Sequence, residues 1–111
     1  MTNEKWLRWA ISRHFRTRGF QVNMKGVRIG NAVLDGEVVG KSWRMALEIK
    51  STRDDVIRGI GQLVEALSQG YQSAALVTSL QRAKHLDKKV FENGLVLLGV
   101  DSEAGIHQVY P

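Results

Sequence analysis

Two stretches of the sequence set charged side chains where an extended strand would aim them together. In Arg44-Met45-Ala46-Leu47-Glu48-Ile49-Lys50 an apolar run ends in an acid and a base two residues apart. Side chains alternate across a strand, so Leu47 and Ile49 take one face and Glu48 and Lys50 the other. Upstream, within Ala32–Val39, the same alternation puts Asp35 and Glu37 on a shared face. If the two segments pair across the turn at Gly40, Asp35 comes to lie beside Glu48. Two neighbouring carboxylates repel each other, and a hard cation bound between them removes that cost; magnesium prefers such oxygen ligands together with water. A metal held there would polarise a phosphate and lower the pKa of a bound water. A lysine alongside could orient the attacking water and stabilise negative charge in a phosphorane-like transition state. The chemistry this points to is metal-assisted hydrolysis of a phosphodiester.

Blander readings compete. Asp35-Gly36 is a strong hairpin signal, and a turn there would carry Asp35 to a tip, away from Glu48, with Glu37 as the alternative acid. Glu48 and Lys50 could form a surface pair on an edge strand, contributing little. Glu4, near the chain start, suits the positive end of a helix better than a ligand role.

The elements that must position these residues follow from periodicity and breakers. A first helix is predicted over about residues 3–18, capped by Thr2 or Asn3 and stopped by Gly19. Trp6, Leu7, Ala10, Ile11 and Phe15 share its apolar face, while Trp9 falls on the other side among Lys5, Ser12, Arg13 and Arg16. Three strand-like stretches come next: residues 20–28, then 32–39 after the Gly30-Asn31 turn signal, then 43–50 after Gly40. Their short connections predict an antiparallel meander. A second helix is predicted over about residues 53–69, with Thr52 and Asp55 at capping-box spacing and a buried stripe of Val56, Ile60, Leu63, Val64 and Leu67. An apolar strand follows at 74–78, then a third helix over about 80–92, a strand at 95–100 and a short last one near 106–109. The later strands alternate with helices, which predicts parallel crossovers. The expected fold is α/β, a mixed β-sheet flanked by helices, in the order α-β-β-β-α-β-α-β with a further short strand at the end.

Composition sets limits. The chain of 111 residues is expected to form one domain, without repeats or linkers. It contains no cysteine, which excludes disulfides, thiolate metal sites and cysteine catalysis. No apolar run reaches the length of a membrane span, and the charged N-terminus lacks a signal-peptide core, so a cytoplasmic protein is expected. Sixteen Lys and Arg against eleven Asp and Glu give a net charge of +5, a balance that favours polyanions. His14, His85 and His107 are too scattered to suggest zinc. Gly59-Ile60-Gly61 lies inside a helix pattern and lacks the lysine of a phosphate loop, so these glycines are expected to let the helix pack closely on the sheet.

The pattern Leu34-Asp35-Gly36, twelve intervening residues after Asp35, then Glu48-Ile49-Lys50, resembles the PD-(D/E)XK, or restriction-endonuclease-like, nuclease superfamily. The resemblance covers roughly residues 3–100, whose element order matches the α-β-β-β-α-β core of that superfamily. Gly61-Gln62-Leu63-Val64-Glu65 resembles the Gly-Gln-Leu-x-Glu-like stretch that many members carry on the following helix. Leu34 stands where the superfamily has its proline, and Ala66 stands where one group of relatives has a tyrosine. Archaeal Holliday-junction resolvases, among the members considered, add a glutamate from the first helix; Glu4 is the only acid there and lies about a turn too early.

The resemblance implies a magnesium-dependent endonuclease, with manganese as the alternative metal, acting on DNA. Asp35 and Glu48 would hold the metal, Lys50 would serve the water and the transition state, and Gln62 would position Lys50 or the water. Glu4 and Glu37 are accessory candidates. Arg58, Arg82, Lys84, Lys88 and Lys89 are candidates for phosphate contact, against the default of a solvated face. The chain is expected to recognise DNA structure, branched DNA being one candidate, or to be targeted by a partner. A homodimer is expected, since one domain offers one cleavage site and duplex cutting needs two. The alternatives are a non-cutting nucleic-acid-binding module with the same fold and an RNA-processing nuclease.

Overall fold

The computed structural model describes residues 3–51 and 55–111. The first helix, α1, spans Glu4–Arg16; the Asn3 side chain accepts from the Trp6 amide at 2.8 Å, closing its first turn. Five strands follow: β1 (Gln21–Asn23), β2 (Val27–Ile29), β3 (Ala32–Leu34), β4 (Gly36–Val39) and β5 (Arg44–Ile49). Helix α2 (Val56–Ser68) leads to strand β6 (Ser73–Ser79), helix α3 (Leu80–His85), a 3-10 turn (Lys88–Phe91), and strands β7 (Leu95–Val100) and β8 (Ile106–Tyr110).

Six strands form one mixed sheet in the order β1-β4-β5-β6-β7-β8. β4 and β5 pair antiparallel, β5, β6 and β7 run parallel, and β8 returns antiparallel. The parallel pairs are bridged by helices, as crossover connections require. β2 and β3 form a separate hairpin around Gly30-Asn31.

Alternation along β5 sorts the core into two layers. Met45, Leu47 and Ile49 face α1, where Leu7, Ala10 and Ile11 are fully buried. Ala46 faces the other layer, formed with Val56, Leu63 and Ala66 of α2, Ala83 of α3 and Phe91. The fold is therefore α/β, a mixed sheet flanked by helices, as expected.

The order of elements needs correction. The predicted strands at 20–28 and 32–39 are each broken in two, the second at Asp35, and the final strand is real. The predicted third helix stops at His85, because Leu86 is extended (ψ 148°), and the Asp87 side chain then caps the 3-10 turn by accepting from the Lys89 amide at 3.0 Å. Val64, expected in the buried stripe of α2, is 52% exposed; Gly59 and Ala66 occupy the buried face instead. Asp55 caps α2, accepting from the Arg58 amide at 3.3 Å, while Thr52, its expected capping-box partner, lies outside the described residues. Among the described residues no helix is long and apolar enough to cross a membrane.

Candidate active site

Glu48 lies on an interior strand, between β4 and β6, and its side chain is 2% exposed. The edge-strand surface pair is thereby excluded. It projects on the α2 side near the C-terminal end of β5, the end of a parallel sheet at which α/β proteins place their ligand sites.

Asp35 does break its strand, yet it is not carried to a hairpin tip. The ladder between β4 and β5 begins at Gly36 opposite Leu47. One residue earlier, side chains replace backbone partners: the Ile49 amide donates to Asp35 Oδ2 at 2.7 Å, and the Asp35 amide donates to Glu48 Oε1 at 3.2 Å. The two carboxylates are thus held together by the main chain of each other's segments. Gly36 makes this possible, since a Cβ there would lie 2.7 Å from both the Asn23 carbonyl oxygen and the Met24 sulfur.

Lys50 follows Glu48 on the same face. Its amide donates to the Val77 carbonyl at 2.9 Å, fixing the strand end to β6. Its Nζ lies 3.8 Å from Glu48 Oε2, with the side chain 14% exposed. The aliphatic stem crosses α2 at Gly59, where a Cβ would come within 2.6 Å of Lys50 Cε. The expectation that the α2 glycines permit close packing holds for Gly59; Gly61 has open space around it.

Gln62 comes from α2. With its side-chain amide turned so that both groups are satisfied, its nitrogen lies 2.8 Å from Glu48 Oε2 and 3.2 Å from Oε1. It therefore orients Glu48, rather than Lys50.

Burial, and next the neighbouring Asp35 carboxylate, push Glu48 up to about 8 from its ordinary 4.5, against the opposing effects of the Asp35 amide and Lys50. A buried acid beside a second acid is a poor anion without a cation between them. This donor set fits a hard divalent ion. Magnesium is commonly held by only one or two carboxylates, with waters and substrate phosphate completing its shell. Among the described residues no group of three or more His, Cys, Asp or Glu gathers as a metal site, so the pair would act with such oxygens.

One contributor was not read from the sequence. Arg8 reaches in from α1, donating to Asp35 Oδ1 at 3.3 Å, to the Asp35 carbonyl at 3.3 Å and to the Met24 carbonyl at 2.9 Å. It also pairs with Glu4 at 2.9 Å. Glu4 thus touches the site through Arg8, one helical turn further on. The i, i+4 spacing of Glu4 and Arg8 was the available signal.

The other candidates sit apart from the pair. Glu37 accepts from the Tyr71 hydroxyl at 2.7 Å, and Tyr71 is covered by the Arg44 guanidinium 4.2 Å from its ring centre. Arg58 is exposed and borders a hollow of about 300 Å³ shared with Gln62, Glu65 and Asn31. Arg82 is partly buried and donates to the Ser51 carbonyl, tying α3 to the chain just beyond Lys50. Lys88 donates to the Ala83 and Leu86 carbonyls at 2.7 and 2.8 Å, closing the end of α3. Lys84 and Lys89 are exposed.

No family model matches the chain, and no curated protein matches it. Among solved structures, the SPO1766 protein of unknown function from Silicibacter pomeroyi is similar at a TM-score of 0.72 with 17% identity, over 98% of this chain and 70% of that one. A protein of unknown function named AF1548 is similar at 0.53 with 15% identity, over 69% of this chain and 47% of its own. At these identities the likeness concerns the fold alone.

Proposed function

We propose that this protein is a metal-dependent endonuclease that hydrolyses DNA phosphodiester bonds, with Asp35 and Glu48 as metal ligands for magnesium or manganese. The observation that carries this is the paired carboxylates, joined through the Asp35 and Ile49 backbone amides, with a lysine amine 3.8 Å away. The net charge of +5 supports a polyanionic substrate.

When bound, the metal would polarise the scissile phosphate and lower the pKa of a water. The remaining work belongs to the chain. Gln62 holds the Glu48 carboxylate in place. Arg8 offsets the charge of Asp35 from the α1 side. Lys50, kept in line by its contact with Gly59, presents a positive charge where the transition state gains negative charge. Burial of Glu48 excludes water from one side of the pair, which strengthens each of these interactions.

A homodimer belongs to the same proposal, so that two sites address two strands; Ile57 and Val64 are exposed on one face of α2 and suit such a contact. A DNA-acting enzyme works where DNA is, in keeping with a cytoplasmic protein.

The test is a calorimetric titration with Mg2+ and Mn2+, joined to cleavage assays on linear, single-stranded and branched DNA. Wild type should bind metal and cut. Asp35→Asn and Glu48→Gln should lose metal binding, and Lys50→Ala should keep it while cutting at least about 100-fold more slowly. Absence of cutting by wild type with either metal and every DNA form, alongside retained DNA binding, would replace the nuclease with a binding module.

A further inference from the structure

A groove of about 410 Å³ runs along the outer side of α1, bordered by Arg8, Trp9, Arg13, Arg16 and Met24. Three of these are arginines, and among the described residues none that borders the groove is acidic. Trp9 is 51% exposed, and the Arg13 guanidinium lies 4.5 Å from its ring centre. Arg16 spends one donor on the Val22 carbonyl at 3.0 Å, out of the five a guanidinium carries. At one end of the groove stands Arg8, bonded to Asp35 in the candidate site. At the other, Arg13 and Thr17 also border a hollow with Arg18 and His107, where Asp101 is already held by His107 at 2.7 Å. The whole face follows α1 for about 20 Å.

We propose that this face binds an unpaired stretch of a DNA strand and leads it to the Asp35–Glu48 site. A base stacks on Trp9, and phosphates lie against Arg13 and Arg16. The choice of DNA as the ligand rests on the nuclease function proposed above; the binding face itself rests on the groove.

Two physical points select this occupant. A half-exposed indole held by a guanidinium is a stacking platform, and every base has a face to offer it, but only when the base is out of the duplex. Duplex phosphates could meet the arginines and would leave Trp9 unused. A second copy of the chain, the other natural cover for an exposed tryptophan, would bring Arg13 and Arg16 against their own copies across a twofold axis, Arg8 being already paired with Glu4 and Asp35. Like charges facing each other oppose that contact. The preferred substrate is therefore DNA with an unpaired segment beside the scissile phosphate, such as a flap, a fork or an opened junction.

The experiment measures fluorescence anisotropy of a labelled oligothymidine of about twelve nucleotides, and of a duplex of equal length, in chelator so that nothing is cut. Trp9→Ala is expected to weaken single-strand binding about 5- to 100-fold and to leave duplex binding unchanged. Trp9→Phe should retain most of the affinity. Arg13→Ala with Arg16→Ala should weaken single-strand binding and flatten its salt dependence. Thermal unfolding verifies that each variant is folded.

The proposal is overturned if wild type does not bind the single strand, or if Trp9→Ala binds it as wild type does. It is also overturned if Trp9→Ala merely turns a dimer into a monomer with single-strand affinity intact. Failure of the nuclease function looks different: no metal-dependent cutting by wild type, with the Trp9 effect on binding still present. Cutting that persists with no Trp9 effect on binding would remove the strand-binding face and leave the nuclease standing.

Discussion

Glu37 and Glu48 stand on adjacent strands of the same sheet, and the protein treats them in opposite ways. Glu37 is half-buried and, among the described residues, has a single well-made partner, the Tyr71 hydroxyl at 2.7 Å; Tyr71 in turn stacks beneath Arg44. Burial, and then its bond to Glu37, push the Tyr71 hydroxyl up to about 12, so it stays a donor across the ordinary pH range. Glu48 is almost wholly buried and faces another carboxylate, with its nearest ammonium at 3.8 Å. The first carboxylate is settled in its surroundings. The second is held where its charged form is disfavoured, as the metal site proposed above requires.

The largest expected effect separates them by stability. In chelator and above about pH 8, where Glu48 has lost its proton, Glu48→Gln should raise the thermal midpoint by about 5 °C or more, because a neutral amide no longer opposes Asp35, even as it abolishes metal binding. Glu37→Gln should do the reverse on a smaller scale, losing about 1 kcal/mol as the bond from Tyr71 loses its charged acceptor. Paired melting curves of the two variants measure both; shifts of opposite sign, the Glu48→Gln shift the larger, are the expected result, and a fall in both would erase the distinction.

The pH dependence sharpens it. Glu48 binds its proton more tightly folded (about 8) than at its ordinary 4.5, so folding takes up a proton between those values. The metal-free protein should therefore lose stability as pH rises from 4.5 through about 8, and level off above. Urea unfolding across this window should show the decline in wild type, and a flatter curve in Glu48→Gln. Glu37→Gln should keep the wild-type slope.

The smallest effect on stability concerns the support of Lys50. Gly59→Ala gains helix propensity of about 1 kcal/mol but sets a methyl group 2.6 Å from where Lys50 Cε now lies. The flexible lysine can move aside, so stability should change by less than about 1 kcal/mol. Its amine would move with it, and DNA cleavage should fall about ten-fold. Unfolding and cleavage measured on the same preparation separate the two outcomes.

The alternation in β5 was readable because it is local: period two decides which side chains share a face, whatever the strand pairs with. Asp35-Gly36 was ambiguous for the same reason. A break in the strand is compatible with a tip or with a site, and the residues next to it are identical in both cases. The choice came from a partner fourteen residues away, the Ile49 amide that the Asp35 carboxylate accepts. The break after His85 was missed because helix-forming residues continue past it; the extended Leu86, packed against the core layer under α3, decided otherwise.

By itself, then, the sequence determined the element types over most of the chain, the opposed faces of β5, the apolar face of α1 and the outward placement of Trp9. These depend on periodicity, which a single segment carries. The tertiary structure decided which charges meet. It brought Arg8 to Asp35 across twenty-seven residues and set Gln62 on Glu48. It also withdrew Glu37 to Tyr71 and bound Lys88 to the end of α3. Electrostatic partnerships act through space over a few ångströms, and nothing in the local spacing of residues specifies which distant side chain will arrive within that reach.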